Sequence, residues 1–300
     1  DKRAVEGPTL HPPPPTKKIK NDSTTEVPTT RWWADSATIS SSSAASIPST
    51  SPLSPISNST PSVDVIIPAH NAEVTIDDAL SSAYFQSYVG LITLIVYDDN
   101  SSDDTVSKVQ AFQERVGRGG SEAVGGNPPR EVKLVRSGAE PAATGAGHAR
   151  DMCVEAGSGS VLVLLDSDDV MMRERVEVQV ATLLASVAPE KTIVGCRIYR
   201  EPAGSTRHYT NWVNTLTEER LYLEQYRELT VLQPTWCLFR SRFDELDGYL
   251  RRVDFALEEE TKEELRLAED LRFWHKHMAK DGRLVLAPSD GPLLMYRHSE

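Results

Sequence analysis

The sequence predicts an α/β protein: a largely parallel sheet flanked by helices and preceded by a disordered tail. Three observations predict it. From Pro61 onward short β-rich runs alternate with helical patterns, the runs are apolar almost throughout, as strands buried on both faces are, and polar motifs fall directly after them. In such a sheet, ligands sit outside the carboxyl ends of the strands.

Residues 1–60 hold 21 Ser or Thr and 9 Pro, with almost no apolar periodicity. A segment of that kind buries too little surface to offset its ordering entropy, so a tail is expected over 1–60 and a folded domain over 61–300. Within the domain, "VDVII" (63–67) is the first strand and "TIDDALSSAYFQ" the first helix. "LITLIVY" (91–97) leads to the helical "DDTVSKVQAFQERV", and "EVKLV" (131–135) leads through a glycine-containing turn to "GHARDMCVEA". "VLVLL" (161–165) is the fourth strand, followed by the helical "RERVEVQVATLLA". A further helix is expected over "EEETKEELRLAEDLRFW", with Leu265, Leu267, Leu271 and Trp274 facing the core.

Composition excludes several classes. A formal net charge of -12 disfavours nucleic-acid binding and docking on an anionic membrane through a basic surface. Cys153, Cys196 and Cys237 lie far apart without CxxC spacing, so buried reduced thiols are expected rather than a disulfide framework or a zinc site. No stretch approaches the roughly 18 apolar residues of a membrane span, and none resembles a signal peptide. The expected location is cytoplasmic.

Four motifs follow the four strands. In "DSDD" (166–169) the D-x-D spacing turns Asp166 and Asp168 toward one point, and clustered carboxylates of this kind suit Mg²⁺ or Mn²⁺ bridging to phosphates. Asp169 is placed to cap the next helix. Asp98 and Asp99 repeat the arrangement after the second strand, with Ser101, Ser102 and Asp103 free to cap the helix there. "PAHNAE" (68–73) breaks the first strand at Pro68 and opens a helix whose N-terminus can hold a nucleotide. In "TGAGHAR" (144–150), Gly145 and Gly147 permit close backbone approach, and Arg150 supplies a fork for phosphate or a base carbonyl. A P-loop is absent, which disfavours ATP hydrolysis of that type.

Taken together, "VDVIIPAHNAEVTIDDALSSAYFQS", "LIVYDDNSSDDT", "TGAGHARDMCVEAGSGSVLVLLDSDD" and "LAEDLRFW" resemble the family 2 glycosyltransferases, and within them the β-1,3-N-acetylglucosaminyltransferase-like branch. The resemblance runs from residue 62 to about 298. It implies the GT-A fold, a Rossmann-like mostly parallel mixed sheet, and an inverting transfer, dependent on Mn²⁺ or Mg²⁺, from a UDP-sugar to a hydroxyl of a glycan or other acceptor. By motif position it puts Pro68, Ala69, Asn71 and Glu73 around the nucleoside, Asp99 at the uracil edge and Arg150 near the base and diphosphate. Asp166 and Asp168 match the D-x-D pair, with Asp168 the direct metal ligand. Asp270 matches the general base, and Glu269 stands beside it. The region "QPTWCLFRSRFDELDGYL" (233–250) builds the acceptor side in the resembling family, where Trp236 could stack on a sugar or be buried.

The family's longer "EDxDLxxR" pattern reads "EDLRFWHKH" here, which leaves Arg272, His275 and His277 as candidates for a cationic phosphate partner. Two other readings stand beside transfer: a sugar-phosphate nucleotidyltransferase, for which "PAHNAE" lacks the glycine-rich basic loop, and a nucleotide-sugar-binding module without activity.

Overall fold

The computed structural model describes residues 60–118, 130–138, 143–249 and 268–298. Apart from its last residue the expected tail lies outside them, as do Leu265 and Leu267 of the expected long helix.

The four expected strands form in order, joined by the expected helices. They are β1 (Val63–Ala69), β2 (Ile92–Asp98), β3 (Glu131–Arg136) and β4 (Val161–Leu164), with α1 (Ile76–Tyr84), α2 (Thr105–Arg118) and α3 (Ala146–Ala156) between them. All four strands are parallel, in the spatial order β3-β2-β1-β4, with Val63 opposite both Ile92 and Val161. Every residue of β1 and β4 is buried, so both faces of the sheet centre are covered.

Pro68 does not break β1; it lies inside the strand, opposite Tyr97. The reason is positional. Ile66 is bonded on the β4 side, where its carbonyl accepts from Leu165, and two residues on Pro68 faces the same way, past the last β1–β4 pair, Ile66 with Leu164. A residue without an N–H therefore costs no ladder bond there.

After β4 the chain supplies β5 (Val170–Met171), α4 (Arg175–Ala185), β6 (Thr192–Gly195) and β7 (Ile198–Glu201). Then come α5 (Arg207–Asn214), α6 (Glu218–Leu223), β8 (Cys237–Phe239) and α7 (Arg240–Glu245), and finally α8 (Glu269–Ala279), β9 (Arg283–Leu286) and β10 (Leu294–Arg297). Strand β8 adds antiparallel to β4 and β6 antiparallel to β8, while β9 runs parallel to β6, completing a seven-stranded sheet. A second sheet of order β5-β10-β7 stands beside it. The D-x-D segment is thus the link between the two sheets, leaving the centre of one and entering the edge of the other.

Burial raises the thiols of Cys153, Cys196 and Cys237 to about 12, 11 and 12, so these free cysteines behave as small apolar residues. Trp274 is buried as expected, but Leu271 is 39% exposed, on the outer side of α8. Among the described residues no helix is long and apolar enough to cross a membrane.

Candidate active site

The loops after β1 and β2 are bound to each other. Asn71 N–H donates to Ser101 Oγ, and Asn71 Oδ1 accepts from Ser102 N–H at 2.9 Å each. Glu73 N–H donates to Asp103 Oδ2, and Glu73 Oε2 accepts from Asp104 N–H. Asp103 also caps the start of α2 through Thr105 N–H, the capping role expected of this segment. Asn71 and Asn100 take positive φ, 50° and 61°, a conformation Asn tolerates better than most residues. Glu73 is spent on this cross-loop bonding and is absent from the cavity wall described below, in contrast to its expected place at the nucleoside.

Asp99 organises the third loop. Its carboxylate accepts from Thr144 N–H, Thr144 Oγ1 and Gly145 N–H at 2.7–2.9 Å. Gly145, at φ 99°, then opens α3. Glycine at 147 admits Glu269 of α8, whose Cγ would stand 2.7 Å from an added Cβ. The small residues of "TGAGHAR" therefore make room for a helix of this chain as well as for a loop turn.

That approach completes a buried ionic chain. Arg150, 4% exposed, donates through Nη2 to Asp166 Oδ1 at 2.6 Å and through Nη1 to Glu269 Oε1 at 3.5 Å. Burial alone would lower the guanidinium's pKa; Asp166 and Glu269 are among the groups that outweigh it and hold it raised. Burial raises the Glu269 carboxyl above the ordinary range, with Arg150 opposing.

Carboxylate oxygens of Asp166, Asp168 and Asp169 lie within 4.8 Å of one another. Burial and Asp166 raise the Asp168 carboxyl, and burial with both neighbours raises Asp169 well above its usual value. An all-oxygen set of mutually repelling carboxylates, with Asp169 Oδ2 buried and lacking a hydrogen-bond partner, fits a hard divalent cation such as Mg²⁺ or Mn²⁺. Asp169 does not cap α4, which starts later, at Arg175 with Glu174 in the cap position. Its Oδ1 accepts instead from Arg297 N–H at the end of β10, and Arg297 Nη1 donates to the Asp168 carbonyl.

Two cavities open from this point. One, of about 410 Å³, is lined by Pro68, Ala69, Asn71, Asp99, Arg150 and Asp168 among others, and also by Asp166. The second, of about 320 Å³, is lined by Asp166 again, with Asp270, Arg200, Tyr209, Glu228 and Tyr296 among its other residues. Of the expected site residues the first cavity brings together all but Glu73, Glu269, Asp270 and Trp236. Asp270 enters the second, and Glu269 reaches the first only through Arg150.

Trp236 belongs to neither. It is 0% exposed, its indole N–H donates to Val231 O, and it packs on Phe273 and Trp274, so the expected sugar-stacking role gives way to a core role. His277 is likewise interior, between Arg242 and the Arg283 carbonyl. The cation of the second cavity is Arg200, whose guanidinium lies 3.9 Å over the Tyr296 ring. Arg200, Tyr296 and Arg297 were not expected from the sequence; for Tyr296 and Arg297 an apolar run ending in a charged residue, "LLMYRH", was the available signal.

Comparison with known proteins bears on this geometry. The model of the Glycosyl transferase family 2 domain matches residues 64–246. A curated relative, the UDP-Glc:alpha-D-GlcNAc-diphosphoundecaprenol beta-1,3-glucosyltransferase WfgD of Escherichia coli, is 33% identical over 122 residues, 41% of each chain. The chain thus spans about two fifths of the length of the curated relatives it matches. Among solved structures, S. aureus TarS 1-349 in complex with UDP-GlcNAc superposes with a TM-score of 0.53 at 18% identity, over 79% of this chain and 59% of that one. The mannosyltransferase PcManGT of Pyrobaculum calidifontis, in complex with GDP-Man and Mn²⁺, gives 0.52 at 20% identity, over 78% and 56%. These two share the GT-A fold expected from the motifs. With the family model covering the sheet centre and all four strand-end segments that line the first cavity, this chain belongs to glycosyltransferase family 2.

Proposed function

We propose that the chain is an inverting, metal-dependent glycosyltransferase that moves a sugar from a UDP-sugar to a hydroxyl of a glycan or other acceptor. The observation that carries this reading is the position of Asp166, on the shared wall of a nucleotide-sized cavity and a second cavity that contains Asp270. A donor in the first cavity would present its anomeric carbon at that wall, and an acceptor in the second would approach from the other side.

In this reading Pro68, Ala69, Asn71 and Asp99 surround the nucleoside, and Arg150 holds Asp166 toward the sugar. Asp168, with Asp166, would hold Mn²⁺ or Mg²⁺, which when bound neutralises charge on the diphosphate leaving group. Asp270 accepts the proton of the acceptor hydroxyl as that oxygen attacks, on the face opposite the departing diphosphate, and one in-line displacement inverts the anomeric carbon. Glu269 accepts from the other terminal nitrogen of Arg150, and Glu228 and Tyr296 offer hydrogen bonds to the acceptor.

UDP-glucose and UDP-N-acetylglucosamine both belong in a donor panel, the first from the name of the E. coli relative and the second from the TarS complex. Mn²⁺ is the metal to try first, as in the PcManGT structure. Incubation with the panel and Mn²⁺, with and without EDTA, tests the reading. UDP release that EDTA abolishes is expected; release that survives EDTA, or none from any donor, overturns it.

A further inference from the structure

The two cavities meet at Asp166, yet their walls come from segments about 70 residues apart, the end of β4 and the turn at Gln233–Thr235 before β8. What holds those walls at one spacing lies behind them. Arg175, the first residue of α4, is 0% exposed. Its Nη2 donates to the Leu164 carbonyl at 2.9 Å and to the Pro234 carbonyl at 2.7 Å. Leu164 ends β4 two residues before Asp166, and Pro234 lines the second cavity. A single guanidinium nitrogen therefore bridges the strand that carries the D-x-D segment and the wall of the cavity that contains Asp270.

Gln179, one helical turn on and also 0% exposed, extends the bridge. Its Oε1 accepts from Arg175 Nε at 2.8 Å, and its Nε2 donates to Thr235 O at 2.7 Å and to Val194 O at 2.9 Å. The remaining terminal nitrogen, Arg175 Nη1, is buried without a hydrogen-bond partner. A fully buried Arg–Gln pair is a costly way to fill space that two apolar side chains would fill, whereas a connected polar network fixes one arrangement of the segments it joins.

We propose that Arg175, working with Gln179, is a positioning residue that ties the acceptor-side wall at 233–235 to the donor-side strand end at 164–166. The inference rests on the transferase reading above. In the step it serves, the bond from the anomeric carbon to the diphosphate oxygen breaks and a bond to the acceptor oxygen forms. The acceptor proton goes to Asp270, and UDP leaves with the electron pair. A displaced wall would leave the donor in place and put the acceptor oxygen out of line.

The test uses the full chain with UDP and Mn²⁺ as probes. Amide hydrogen exchange of 230–236 is measured with and without UDP, in the native protein, Arg175→Lys and Gln179→Met. In the native protein UDP should slow exchange of 230–236 by about fivefold or more, a coupling across Asp166. Arg175→Lys, which keeps charge but not the fork, should lose that effect while its Kd for UDP stays within about twofold, since no UDP contact is removed. Gln179→Met, which leaves the Leu164 bond intact, should lose most of it. Protection that persists in both variants, or is absent in the native protein while UDP binds, overturns the inference. A native protein that does not bind UDP with Mn²⁺ overturns the transferase reading itself, a result distinct from either. A variant that merely lost stability would exchange faster everywhere, with and without UDP, and would retain the difference.

Discussion

Arg150 Nη2 lies 2.6 Å from Asp166 Oδ1, in a pair whose arginine is 5% and aspartate 24% exposed in their side chains. The same guanidinium reaches Glu269, so one buried cation stands between carboxylates delivered by β4 and α8. Removing it would leave both acids facing each other without compensation. Arg150→Met is expected to destabilise the domain by about 3 kcal/mol, the usual cost of stranding a buried partner. The check is urea unfolding at neutral pH; a midpoint unchanged from the native protein would show that the carboxylates do not need the cation.

Asp270 and Asp168 should separate when mutated. Asp270 lines the second cavity and not the first, so Asp270→Asn should abolish UDP-sugar turnover and leave UDP affinity nearly unchanged. Asp168→Asn removes an oxygen of the carboxylate cluster and should weaken Mn²⁺-dependent UDP binding. Titration calorimetry with UDP, with and without Mn²⁺, reads both. Equal loss of UDP binding in the two variants would remove Asp270 from the base role.

Trp236 tests the difference between a core aromatic and a sugar platform. With its ring packed on Trp274 and Phe273 and its N–H satisfied by Val231, Trp236→Ala is expected to cost about 3–5 kcal/mol of stability. Trp236→Phe should fold with a lower melting temperature and an unchanged KM for donor and acceptor. A KM raised in Trp236→Phe with stability retained would return the residue to the site.

Legibility followed the range of the interactions. The strands β1, β2 and β4, and the motifs that follow them, are written in contiguous apolar runs and short polar loops, so their place at one end of the sheet could be read directly. Asp166 and Asp168 lie together as the D-x-D spacing suggested, whereas Arg150, expected at a phosphate or base, pairs with Asp166. The second cavity was not readable, because Arg200, Tyr209, Glu228 and Tyr296 come from β7, α5, the segment after α6 and β10, separate stretches that meet only in the folded chain, Tyr296 opposite Arg200 in the paired strands. Asp169 and Glu73 misled for a related reason. Asp169, expected at a helix start, accepts instead from Arg297 N–H at the end of β10, and Glu73, expected at the nucleoside, accepts from Asp104 N–H of the neighbouring loop.

His277 gives the fold an acid sensitivity whose sign can be worked out. It sits in α8 with no exposure, where Arg242 Nε donates to Nδ1 and Nε2 lies 3.1 Å from the Arg283 carbonyl. That pattern assigns the proton to Nε2 and leaves Nδ1 as an acceptor, so the neutral ring is the one that fits. Burial first, and Arg242 after it, lower the pKa to about 4, with Arg283 O and Glu245 opposing. In the unfolded chain the ring titrates near 6.5, so between 6.5 and about 4 the unfolded state takes up a proton that the folded state refuses. Stability from this residue is therefore complete above pH 6.5 and falls as pH drops, by about 3 kcal/mol at pH 4. Urea unfolding at pH 7, 6, 5 and 4 on the native protein and His277→Gln isolates it from the titrating carboxylates common to both. The native protein should lose stability over this window faster than the variant, and parallel pH dependences would mean that His277 is protonated in the folded state.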